Sequence, residues 1–340
     1  MKKFLLICLF SCQFSFLFGQ SELSWQTFHL DREVSLRGIA AVSENECWVS
    51  GTQDTLAKTN NGGETWSYFK LPDADSLDFR DIAVLNEKEV LVLSVGNGAS
   101  SKIFKTNDGG QTWKVVFQNK EEEGFFDAFI FWSEKEGMMQ GDPIDGRLYL
   151  LTTNDGGETW QKVPTINCPK VNAGEYAFAA SGTQITSLGK TIWIGTGGSR
   201  SRVFKSNSKS LFWESVETEM IHGEASQGIF SLAFSNKKYG MAVGGDYTKP
   251  GQGKDNLLLT LDGGESWQLQ KSNLDYRSSV AFVGKTAVVT GPSGSEWSSD
   301  KGNSWKKING IGFNSLSVVS TSKTVWAAGS EGRVGKLLIE

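Results

Sequence analysis

Three arginines hold matching places in this chain. Arg37, Arg80 and Arg277 each stand at the start of a short segment, in Leu36-Arg37-Gly38-Ile39, Phe79-Arg80-Asp81-Ile82 and Tyr276-Arg277-Ser278. A guanidinium is a planar fork of donors, suited to a carboxylate, phosphate or sulfate. Carboxylates stand in comparable surroundings at Asp127, Asp142 and Glu175, and Asn314 offers a neutral polar group. Two carboxyls at a defined separation across a sugar could cleave a glycosidic bond. Each arginine could instead pair with a local acid such as Asp81 or Asp127, or point into water. His222-Gly223-Glu224 with Ser226 could suggest a Ser–His–acid set, but no nucleophile elbow surrounds any serine. His29 and His222 lie far apart and the cysteines lack ligand spacing, which disfavours zinc. No catalytic residue, metal or cofactor is assigned; no haem-attachment, quinone or dinucleotide motif is visible.

The elements that must position these residues repeat. An octapeptide recurs at Thr59–Trp66, Thr106–Trp113, Thr153–Trp160, Ser206–Trp213, Thr260–Trp267 and Ser298–Trp305. A motif recurring at such spacing signals a repeat architecture. Each copy follows three short apolar segments separated by turns and leads into a fourth, the pattern of a four-stranded antiparallel unit. First strands are expected at 36–42, 79–85, 126–132, 176–180, 229–234, 276–283 and 313–319. The seventh unit lacks a fourth strand after Arg333–Ile339, and Ser24-Trp25-Gln26-Thr27-Phe28 has the sequence to supply it. An all-β, seven-bladed propeller closed by its N-terminal strand follows, and closure removes open sheet edges. A linear solenoid would not explain the complementary ends.

In such a ring the second residue of each first strand reaches one mouth: Arg37, Arg80, Asp127, Ala177, Phe230, Arg277 and Asn314. Blade 7 lies between blades 6 and 1, so Arg277, Asn314, Arg37 and Arg80 would form one arc, opposite Asp127 and Glu175. The loops Gly141–Arg147, Gly195–Arg202, Gly244–Pro250 and Gly291–Glu296 add charged and aromatic residues to that face, as ligand loops on rigid scaffolds do, although their glycines also suit simple turns. Gly195–Arg202 joins two strands and opens no helix, so it does not match a phosphate loop.

Asp-Gly between strands favours a tight turn, and the acid can accept N–H groups within it. The box residues Asn61, Asp108, Asp155, Asp262 and Asp300 are therefore expected to be structural, as are Trp66, Trp113, Trp160, Trp213, Trp267 and Trp305. The fourth copy lacks the acid and both glycines. The pattern Ser/Thr-x-Asp-x-Gly-x-Thr/Ser-Trp resembles the Asp-box (BNR) repeat of sialidases, xyloglucanases and sortilin-type receptors. Over the mature chain it is most similar to the propeller family of photosystem II assembly and stability factors and its relatives in non-photosynthetic bacteria. That resemblance implies a non-enzymatic scaffold that binds a protein partner. Sialidases instead have six blades and an Arg-Ile-Pro segment, where this chain has Leu36-Arg37-Gly38-Ile39. A glycan-acting hydrolase is the alternative reading.

Residues 1–20 read as a signal peptide: Lys2-Lys3, an apolar run from Phe4 to Phe18, then Gly19. The run is shorter than the roughly 20 residues of a spanning helix. A lipoprotein anchor at Cys12 fits less well. A periplasmic or extracellular monomer spanning 21–340 is expected. Removing Lys2 and Lys3 leaves 32 basic side chains against 38 acidic, which argues against a nucleic-acid partner. Only Cys47 and Cys168 then remain, so one disulfide is open but not required.

Overall fold

The computed structural model describes residues 23–207, 212–319 and 321–339. The signal-peptide segment lies outside them. Seven antiparallel sheets make an all-β propeller, and the innermost strands are Leu36–Ala41, Asp78–Val84, Phe126–Phe131, Ile185–Leu188, Gln227–Phe234, Ser279–Val283 and Ser315–Val319. Blade 7 is closed by the N-terminal strand Gln26–His29, antiparallel to Arg333–Leu338 with Thr27 opposite Gly335. The only helices among the described residues are short 3-10 turns at Gly98–Ser100 and Thr165–Asn167, and none is long and apolar enough to cross a membrane.

Strand sequences explain the radial packing. Side chains alternate faces along a strand, and a central strand sandwiched between two blades buries both. In Cys47–Gly51, Val49 packs toward blade 7 with Trp326 and Val334, while Trp48 packs toward blade 2 with Phe79 and Val92. Seven such apolar clusters fill the seven contacts between neighbouring blades. Cys47 and Cys168 are buried free thiols in different clusters, so they form no disulfide.

The octapeptides are turns with closed polar accounts. In the second copy, the Thr106 hydroxyl donates to Asp108 (2.7 Å) and accepts the Gly110 N–H (3.0 Å). Asp108 also accepts the Thr112 N–H (2.9 Å) and hydroxyl (2.6 Å). Gly110 has φ +98°, and a Cβ there would come within 2.6 Å of the Phe69 ring, so a side chain is excluded twice over. The same bonds recur around Asp155, Asp262 and Asp300. In the first copy Asn61 takes the acid's place, accepting the Thr65 N–H. In the fourth copy, strands Arg202–Asn207 and Glu214–Glu217 still pair.

The fourth first strand differs from expectation. Residues 176–180 are not an inner strand; that role falls to Ile185–Leu188. Glu175–Tyr176 instead pairs with Gly197–Gly198, which extends blade 5 inward. The remainder, through Gly182, forms a strap at the axial mouth. Blades 6 and 7 also begin their inner strands later than expected, at Ser279 and Ser315.

Candidate functional site: the strapped axial mouth

Box turns bond to the hairpins that end the inner strands, as Gly109 N–H does to Lys88 O at 2.9 Å. The starts of the inner strands therefore face the other end of the axis. In four blades the antiparallel register slips at that start, between Leu36 and Gly38, Phe79 and Asp81, Phe126 and Ala128, and Ile229 and Ser231. The extra residue of each bulge is Arg37, Arg80, Asp127 or Phe230. A bulge re-aims one side chain without breaking the sheet, and here it points each one at a cavity of about 440 Å³. Asp142 and Asn314 line the same cavity.

Arg277 does not. In blade 1 a Cβ on Gly51 would meet Ser35 O and Leu36 Cα; in blade 6 a Cβ on Gly291 would meet Tyr276 O and Arg277 Cα. Arg277 thus holds the place of Leu36, one residue short of the mouth position, which belongs to Ser278. Its guanidinium is buried and grips Glu296 through two bonds of 2.7 and 2.6 Å. The expected arc of three arginines is a pair. Glu175 is also absent from the cavity wall: it is buried against Arg202 (2.8 and 2.7 Å) and the Thr196 hydroxyl (2.8 Å). Asn314 clasps blade 1 by donating to Leu36 O at 2.9 Å.

The strap contributes what sequence reading missed. Arg37 donates to Ala180 O (3.2 Å) and Arg80 to Ala179 O (2.9 Å), while the Ser181 hydroxyl donates to Ser278 O (2.8 Å). Phe178 stacks on Phe230 with ring centroids 3.9 Å apart. Tyr176, Tyr247 and Tyr276 complete an aromatic wall around them. Gly182 has φ +72°, and a Cβ there would lie 2.6 Å from the Asp81 carboxylate, which lets the strap pass close to blade 2. The run Ala-Phe-Ala-Ala-Ser-Gly, mostly small residues ending on glycine, was the available signal.

Charges at the mouth are unevenly matched. Arg80 is paired with Asp78 at 2.8 Å, but Arg37 has no carboxylate partner among the described residues. Burial, then the like charge of Arg80, pulls the Arg37 pKa below its usual value. On the next blade, burial pushes Asp127 well above the carboxylate range, with the charge of Asp142 adding to it and that of Arg80 opposing it. Burial alone lifts Asp142 to about 7, and its Oδ1 is enclosed without a hydrogen-bond partner. Among the described residues no group of three or more His, Cys, Asp or Glu side chains is arranged to hold a metal. One wall is therefore cationic, one carboxylic and one aromatic.

Residues 19–97 and 81–169 match the family model "Photosynthesis system II assembly factor YCF48". No curated protein sequence matches the chain. Among solved structures, "YCF48 bound to D1 peptide" superposes with a TM-score of 0.70 at 14% identity, over 93% of this chain and 97% of that one. YCF48 from Cyanidioschyzon merolae gives 0.65 at 17% identity, over 93% and 99%. Virginiamycin B lyase from Staphylococcus aureus gives 0.67 at 14% identity, over 94% and 100%. A fold shared between a peptide-bound assembly factor and a lyase does not decide function. The chain is an Asp-box repeat β-propeller similar to the photosystem II assembly factor YCF48.

Proposed function

We propose that this protein is an exported, non-enzymatic binding propeller that holds a protein partner at the strapped mouth through an anionic group, most simply a chain-terminal carboxylate. One observation carries the reading: Arg37 is half-buried beside Arg80 on a cavity wall and makes no salt bridge among the described residues. Each of the two guanidiniums spends a single donor on a strap carbonyl. An incoming carboxylate would relieve the repulsion between them and gain charge-assisted bonds. The similar propeller YCF48, bound to a D1 peptide, supports a peptide-like ligand. Export is supported by the basic start and apolar run of residues 1–20.

The test compares wild type with Arg37→Ala/Arg80→Ala, using peptides ending in a free carboxylate or an amide. Free-carboxylate peptides should bind wild type at least tenfold better than amides, and the double variant should erase that difference. Equal binding of acid and amide by wild type would sink the proposal. One observation favours a second reading as a glycan hydrolase: Asp127 and Asp142 are two proton-retaining carboxyls on one cavity. Release of reducing sugar from polysaccharides, lost in Asp127→Asn, would establish it.

A further inference from the structure

The mouth has a second half that the carboxylate reading leaves unused. On blade 3, next in the ring after Arg80, Asp127 and Asp142 face the same cavity as Tyr176, Phe178, Phe230 and Tyr247. These groups adjoin one another. Asp142 acts electrostatically on Tyr176 and on Asp127, and Tyr247 acts on Tyr176 and Tyr276. Tyr276 in turn lies beside Arg37, so the circuit returns to the cationic wall. Two features distinguish the acidic side. Asp142 Oδ1 is enclosed with no donor, and Asp127 is 1% exposed with one bond to Gln140 (2.7 Å). Tyr247, by contrast, is 51% exposed and leans its edge toward Phe178 and Phe230, leaving an aromatic rim open to solvent.

The geometry points to a subsite for a cationic side chain, lysine or arginine, close to the terminus of the same peptide whose carboxylate engages Arg37 and Arg80. The inference rests on the proposed carboxylate site and adds its specificity. An ammonium or guanidinium would pair with the Asp142 carboxylate where it lines the cavity, and its stem would lie on the aromatic wall. Aromatic faces attract cations, and more strongly where water is excluded. A neutral side chain of equal length would gain the wall but leave the carboxyl unsatisfied. The chemistry therefore selects a terminus carrying both signs of charge, matched to a mouth that carries both.

The charged groups around Asp142 set the pH behaviour. They are Asp127 on the same blade and Tyr176 on the strap, while Arg80 on blade 2 (already held by Asp78) acts on Asp127. With Asp142 titrating at about 7, a cation is favoured above that pH and loses its partner below it.

The probes are short synthetic peptides with a free C-terminus, carrying one lysine at the last, penultimate or third-last position. Each has a norleucine counterpart of the same shape without the charge. At pH 8 one lysine register should bind about tenfold tighter than its norleucine counterpart. At pH 5.5 the preference should collapse. Asp142→Asn should abolish the preference at pH 8, and Tyr247→Ala, at an exposed position, should weaken it. Equal or better binding of norleucine at pH 8 in every register overturns the inference, as does a lysine preference that survives Asp142→Asn. If acid peptides still beat amides while lysine gains nothing, the subsite fails and the carboxylate site stands. If acids and amides bind alike, both fail.

Discussion

Asp108 and Asp142 are the same residue at opposite ends of the propeller, and they treat a proton oppositely. Asp108 sits in a box turn where the Thr112 hydroxyl and N–H and the Thr106 hydroxyl all donate to it, which holds its pKa at about 2. Asp142 sits at the mouth, where burial raises it to about 7 and one oxygen has no donor. The box acid is satisfied by residues two and four positions away and has nothing left for a ligand. The mouth acid was placed by the ring as a whole, and its immediate sequence supplies no partner. Repetition marks what builds the blade; chemistry collects where the repeat is interrupted.

The sharpest test of that contrast uses the two arginines that look alike in sequence. Arg277 is enclosed with Glu296, and removing one member of a buried pair leaves the other charged and unpaired. Glu296→Gln should destabilise the fold by about 3–5 kcal/mol. Arg37→Ala should cost far less, because Arg37 loses one bond to a carbonyl, and its effect should fall on binding. Chemical denaturation of both variants decides the matter. Comparable losses of stability would mean that Arg37 is as structural as Arg277.

A smaller effect is expected at the box end. Thr106→Val keeps the shape but removes the hydroxyl that receives the Gly110 N–H, a buried group. The cost should be about 1–3 kcal/mol, with peptide binding at the mouth unchanged. A Thr106→Val protein that melts like wild type would show that the conserved geometry of these turns contributes little to blade stability.

How far the sequence spoke depends on whether a feature is local. The closing strand at Trp25 was legible because Trp25-Gln26-Thr27-Phe28 matches segments that follow the boxes elsewhere, such as Trp66-Ser67-Tyr68-Phe69. The box turns were legible because donor and acceptor lie within one octapeptide. Blade 4 was misread for a physical reason. Tyr176-Ala177-Phe178 alternates like a strand, but those side chains pack on Phe230 at the mouth, while the true strand, Ile185–Leu188, buries only Ile185 and carries little apolar signal. Arg277 was placed one residue off because a bulge leaves no mark in a sequence. Tyr276-Arg277-Ser278 parallels Leu36-Arg37-Gly38 until the register is known, and its partner Glu296 lies on another strand. Asp127, Asp142, Asn314, Arg37 and Arg80 were brought together as expected; the strap that touches them was not foreseen.

The two ends should also fail at opposite pH. Box carboxylates such as Asp108 and Asp300 have folded pKa values of about 2, below the ordinary value near 4 of an unfolded aspartate. Their contribution is present above about 4 and is lost as pH falls through about 2. Asp142 has a folded value of about 7, above the unfolded one, so its contribution is full below about 4 and is lost as pH rises through about 7. Asp81, which burial raises to about 8 although it accepts the Phe129 and Ile82 N–H groups, extends that loss further. Stability should therefore peak in mildly acidic solution. Asp142→Asn should flatten the decline between about pH 4 and 7 while leaving the acid limb untouched, since no box residue has changed. Denaturation midpoints of wild type and Asp142→Asn at pH 3, 5 and 8 measure both limbs at once. Parallel curves across that range would mean that Asp142 is as ionised as Asp108, and the distinction between the two ends would collapse.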